Sequence, residues 1–256
     1  MRWRTLARMY GRTSTERLPR LAEAVAELRD KPSRSKAEEV RYAATLQLFM
    51  TELRLAGRRA EAIRAGTEAL DVARALDARS PGRFRAFLAQ CLVTQADTLV
   101  PDIPESAGEV RLLTGEAIDL LRPWLENPPP ARARLVATAY GARGHAELGA
   151  GDVAAAEPML WRAFDAARRM RRRDRLIPGQ LEWLAGVVGA LARCSQAKGD
   201  MAEADRLATK SRELAEAGKA VRLAGKEMWA AVSEVGDVLR GRTVRASDAD
   251  GGPSAP

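Results

Sequence analysis

The side chains able to do chemistry are few and stand far apart. His145 is the single histidine of the chain, and Cys91 and Cys194 lie about a hundred residues from one another. A zinc site draws three or four ligands from cysteine, histidine and carboxylate, so one imidazole and two distant thiols do not suggest one. Two cysteines so placed form no disulfide framework either; both sit among small and apolar residues, which predicts buried, reduced thiols. Carboxylate pairs such as Glu38 with Glu39, or Glu203 with Asp205, have spacings that do not put both groups on one helix face. There is no phosphate loop, no nucleophile elbow and no HExxH. The expectation is a protein that is not an enzyme and uses no cofactor or metal.

Charge is more conspicuous than chemistry. The 42 basic residues outnumber the 34 acidic ones, giving +8 and an isoelectric point near 10.1. The tract ARRMRRRDR gathers Arg168, Arg169, Arg171, Arg172, Arg173 and Arg175. Cations at the end of a helix complement its dipole, and in an arginine-rich chain such a run is most simply a solvated face. Attachment to nucleic acid is the sharper alternative. It is weakly supported, because no stacking aromatics interleave the arginines and no recognition motif accompanies them. Charge alone gives salt-sensitive, sequence-independent binding.

The elements that position these residues are helices. Over 256 residues the content is 46% hydrophobic but only 5% aromatic, and alanine and arginine, both strong helix formers, dominate. Apolar runs such as Leu184 to Leu191 fall short of the eighteen or so residues a membrane span requires. The start, MRWRTLARMY, is basic with no apolar stretch behind it, unlike a secretory signal. No membrane partner and a cytoplasmic location are expected.

A repeat near 48 residues organises the chain. LRLAGRRAEAIRAGTEAL (53–70), AELGAGDVAAAEPMLWRAF (146–164) and SQAKGDMAEADRLATKSREL (195–214) each read as helix, glycine, helix, hinged at Gly57, Gly151 and Gly199. A fourth copy runs RFRAFLAQCLVTQADTL (83–99), then AGEVRLLTGEAIDLLR (107–122), with VPDIPES in place of the glycine. Five and twelve residues after the hinges come small residues: Ala62 and Ala69, Ala156 and Ala163, Ala204 and Ser211. Small residues let antiparallel helices approach to the short end of the 8–10 Å range. Asp152 and Asp200, directly after two hinges, are expected to cap the second helices. A lone hairpin cannot bury its face, so the copies must stack.

The expected helices are 15–30, 36–56, 59–78, 82–99, 106–126, 131–149, 153–172, 178–198 and 201–217. Repeats then occupy about 36–79, 82–127, 131–175 and 178–217, with caps over 1–31 and 219–240 and a disordered tail over 241–256. Pro128, Pro129 and Pro130 make a stiff break able to split the stack into two lobes. Pro158 should kink its helix or delay its start to about Glu157. Trp124, Trp161, Trp183 and Trp229 are expected to pack at seams or ends.

The recurring order of large apolar residue, small residue, hinge glycine and two alanines resembles the tetratricopeptide repeat. It runs Leu46, Met50, Gly57, Ala62, Ala69; Leu92, Ala96, Val110, Ala117; Tyr140, Gly144, Gly151, Ala156, Ala163; and Val188, Ala192, Gly199, Ala204, Ser211. Segments such as LAGRRAEAIRAGTEALDVARAL look most similar to the arginine- and alanine-rich repeats of actinobacterial multi-repeat proteins. The resemblance covers about residues 36 to 217 and implies an all-α, right-handed solenoid of about four antiparallel helix pairs. It also implies a concave groove faced by His145 and, in the same register, by Gln47, Thr51, Arg54, Gln90, Asp97, Arg193 and Gln196. Paired basic residues that would clamp a terminal carboxylate do not recur in adjacent copies. The implied role is a scaffold or adaptor for a protein or peptide segment; the alternative is the sensor part of a regulator, left from a larger chain, that takes a peptide or small ligand. The oligomeric state and the partner's identity are not legible.

Overall fold

The computed structural model describes residues 14–170 and 179–221, and among these every regular element is helical. In chain order they are α1 (Ser14–Arg29), α2 (Lys36–Leu55), α3 (Arg59–Arg79), α4 (Arg85–Leu99), α5 (Ala107–Leu121), α6 (Pro130–Gly149), α7 (Val153–Arg168), α8 (Gln180–Ala197) and α9 (201–221). Short 3-10 turns, Val100–Asp102 and Arg122–Trp124, follow α4 and α5. The expected helices thus form, with ends displaced by a few residues. The expected cap over 219–240, apart from its first three residues, and the tail lie outside the described residues, as do Trp229 and residues 1–13 of the first cap.

Three hinges close identically. Gly57, Gly151 and Gly199 have φ of 73°, 82° and 81°, the left-handed region that glycine enters without penalty. The amide before each second helix reaches back over the glycine, Arg58 to the Leu53 carbonyl, Asp152 to Glu147 and Asp200 to Ser195, at 2.9–3.0 Å. This six-to-one closure satisfies a carbonyl orphaned at the helix end. Asp152 and Asp200 then accept from the amides of Ala155 and Glu203 at 2.9 and 3.1 Å, as the capping expectation requires.

Each helix packs on its sequence neighbours, and the first helices α2, α4, α6 and α8 also touch in succession. The small residues lie where the pairs close: Ala62, Ala69, Ala117, Ala156 and Ala163 are all buried. Pro158 does not delay α7, which starts at Val153 under the Asp152 cap. Gly218 does not end α9. It is buried beside α8, where a Cβ would meet Glu182 Cγ at 2.9 Å.

The core divides, but not at the prolines. One apolar cluster runs without interruption from Leu70 to Leu207, straight across Pro128–Pro130. The other, Val25 to Ala69, joins α1, α2 and one face of α3. The prolines sit in a link between helices whose side chains still meet, whereas the true break falls where α2 faces α4 and glutamines replace apolar residues.

Candidate functional site

The eight residues expected in a groove lie on α2, α4, α6 and α8. Arg54, Gln90, Arg193 and Gln196 are exposed; Thr51, Asp97 and His145 are partly buried. Gln47 is a correction: it is buried, held beneath Gln90, which donates from Nε2 to Gln47 Oε1 at 3.3 Å. Arg54 pairs with Asp97 at 3.0 Å. Both contacts link residues 43 apart, so the structure brings four of the eight together as two rungs between α2 and α4.

Two further threonines, Thr94 and Thr138, join Thr51 on this first-helix face. Thr51, Thr94 and Thr138 each donate a hydroxyl to the carbonyl four residues back, Gln47, Gln90 and Arg134, at 2.9, 2.7 and 2.9 Å. The signal is present in the sequence as QLFMT, QCLVT and RLVAT, a polar residue four before threonine, recurring at 43 and 44 residues. The threonines fold their donors onto their own helices. What the face offers outward is the Gln90 amide and the guanidinium groups of Arg134 and Arg193, both exposed.

Electrostatics separate the two titratable groups. Burial pushes the Asp97 carboxyl up, and attraction to Arg54 and Arg134 offsets this only in part. His145 is driven the other way: burial, then the neighbouring Arg193 charge, lowers it to about 4, so the imidazole is neutral at pH 7. Because its folded value lies below the ordinary 6.5, the unfolded chain binds more protons between these values, and stability falls as pH falls through that window. His145→Gln should therefore lose about 2 kcal/mol less stability than the wild type between pH 7 and pH 5. Urea midpoints measured at both pH values check this, and parallel curves for the two proteins would refute it.

A charged cluster that the sequence reading missed lies between α5 and α6. Glu147, with 7% of its side chain exposed, takes Arg143 Nε at 2.5 Å and an Arg111 guanidinium nitrogen at 2.6 Å. Arg143 also donates to the Arg111 carbonyl at 3.0 Å. A weaker counterpart joins Glu52 to Arg17 at 3.1 Å. These contacts fasten helix to helix.

Cys91 and Cys194 are buried and unpaired, and burial pushes the Cys91 thiol up to about 12, which suppresses the thiolate needed for reactivity. Trp124, Trp161 and Trp183 pack against the larger cluster, Trp161 meeting Phe164 edge-to-face at 5.9 Å. Of the arginine tract, Arg168 and Arg169 are exposed and Arg169 bonds Asn127; Arg171, Arg172, Arg173 and Arg175 lie outside the described residues. The cavity of about 490 Å³ beside Arg169 mixes signs, with Arg122, Arg162, Glu126 and Asp165 on its walls. Among the described residues no three His, Cys, Asp or Glu side chains gather as a metal site would require, and no helix is long and apolar enough to cross a membrane.

No protein-family model matches the chain, and no curated protein matches it. Among solved structures it is similar to the crystal structure of BtubC (BKLC) from P. vanneervenii, with a TM-score of 0.54 and 16% identity, covering 77% of this chain and 71% of that one. At that identity the likeness concerns the fold alone.

Proposed function

We propose that the chain is a non-catalytic scaffold or adaptor, a right-handed solenoid of tetratricopeptide type that binds a protein segment along its first-helix face. The observation that carries this reading is the polar face of the first helices: Gln90 on α4, Arg134 on α6 and Arg193 on α8 are all exposed, beside the half-buried Thr51, Thr94 and Thr138. Stacked helix pairs bind extended or helical segments on such surfaces, through side chains spaced at the repeat. The buried cysteines leave this face without an accessible thiol, and the neutral His145 adds a hydrogen-bonding group that carries no charge. A cytoplasmic location accords with this role.

The test is affinity capture from the native cell with wild-type protein and with the Arg54→Ala, His145→Ala, Arg193→Ala triple variant. The expected result is a protein partner retained by the wild type and depleted about tenfold by the variant, the size of effect that losing one or two exposed charged contacts produces. Equal capture by a variant that unfolds at the wild-type urea midpoint would refute the assignment of the face.

A further inference from the structure

We infer that the α2–α4 seam is a hinge: α1 and α2 swing about α3 relative to the body that begins at α4, opening and closing the first-helix face. The division of the core locates it. α3 carries Ala62, Ala65 and Ala69 into the smaller apolar cluster and Leu70 and Ala73 into the larger one, so it is held from both sides. α2 and α4 share no apolar cluster. They meet through polar groups instead: Gln90 to Gln47 at 3.3 Å, Arg54 to Asp97 at 3.0 Å and the Thr98 hydroxyl to Met50 Sδ at 3.7 Å. By contrast, α4, α6 and α8 contribute to one cluster, with Ala96, Val136 and Val187 in common contact with it.

Two features make movement at this seam inexpensive. Gln47 Nε2 is buried there without a partner, and a buried unpartnered polar atom is unfavourable until water or another group reaches it. Opening the seam supplies that water, so part of the cost of separation is recovered. The outer side, meanwhile, is fastened. Arg29–Glu68 ties α1 to α3, and Arg74–Glu116 ties α3 to α5, each at 2.6 Å. A body fastened at the back and held by exchangeable polar rungs at the front can rotate about the back. The rungs Gln47–Gln90 and Arg54–Asp97 lie on the face proposed above for binding, but the hinge is a property of the free chain and does not depend on that binding.

The test measures distances in the full chain with Cys91 and Cys194 changed to alanine. One spin-label pair, at Leu48 and Arg134, spans the seam; a second, at Arg85 and Gly186, spans α4 to α8 within the single cluster. The expected result is a distance distribution at least twice as wide for the first pair, narrowing to the width of the second in the Gln47→Leu, Gln90→Leu variant, which joins the clusters with apolar side chains. Equal widths in the unmodified seam would overturn the inference, and so would a distribution left unchanged by the two leucines. Failure to capture a partner would not bear on either outcome.

Discussion

Replacing Glu147 by alanine is expected to lower stability by about 3 kcal/mol, because the residue is the buried centre of a three-charge cluster. Removing one member of a buried charge cluster strands the others, and losses of about 3–5 kcal/mol follow when the stranded charges are fully enclosed. Arg111 and Arg143 keep 34% and 30% of their side chains open, so water relieves part of the penalty and the lower end applies. The penalty comes from the arginines, not from the loss of favourable pairing. Replacing all three, as Glu147→Leu, Arg111→Met and Arg143→Leu, should therefore recover most of the loss. The first copy supports this design, because the residue equivalent to Glu147 at the glycine hinge is Leu53, fully buried. Urea unfolding of the single and triple variants decides the matter. A single variant with the wild-type midpoint would mean that the arginines keep their hydration, and a triple variant no better than the single would mean that the cluster was favourable as a whole.

The same hinge position shows why the fold was legible and the cluster was not. Glycine at Gly57, Gly151 and Gly199 is required by backbone conformation, a local property that one residue type reveals. Alanines at the helix crossings are likewise local, set by how closely two backbones approach. What occupies the buried side of the cap is decided by the neighbouring pair: Leu53, Glu147 and Ser195 are all buried there, and only their partners explain them. Arg143 is explained only by its partners, the buried Glu147 one turn on and the Arg111 carbonyl 32 residues away. The polar seam is hidden in the sequence for a related reason. Gln47 and Gln90 share a groove register 43 residues apart, but in the fold the exposed one covers the buried one. Spacing in multiples of the repeat predicts which residues share a row, and it does not reveal which of two facing polar groups keeps its contact with water.

Valine at Gly144 should be at least as damaging as alanine at Glu147, with a loss of about 3 kcal/mol, and for a reason of shape alone. Gly144 is buried on α6, and a Cβ there would come 2.6 Å from Leu160 Cγ, 2.7 Å from Cδ2 and 3.3 Å from the Ala156 carbonyl. Leu160 has no exposed surface and cannot turn away, so the α6 and α7 backbones must separate. Overpacking of this kind costs about 1–3 kcal/mol. Alanine would recover up to about 1 kcal/mol through helix propensity, whereas the branched valine recovers less and adds two methyl groups to the clash. Gly186 provides the contrast on α8: it is exposed, nothing lies within 4 Å of its Cβ position, and Gly186→Ala should stabilise by about 0.5–1 kcal/mol. The decisive measurement is a double-mutant cycle. Leu160→Ala alone costs about 2–5 kcal/mol through the cavity it leaves, but in the Gly144→Val background it makes room for the new side chain, so the two losses should fall short of their sum by about 2 kcal/mol. Additive losses would show that valine does its damage somewhere other than against Leu160, and the close approach of α6 to α7 would then not be what glycine at this position secures.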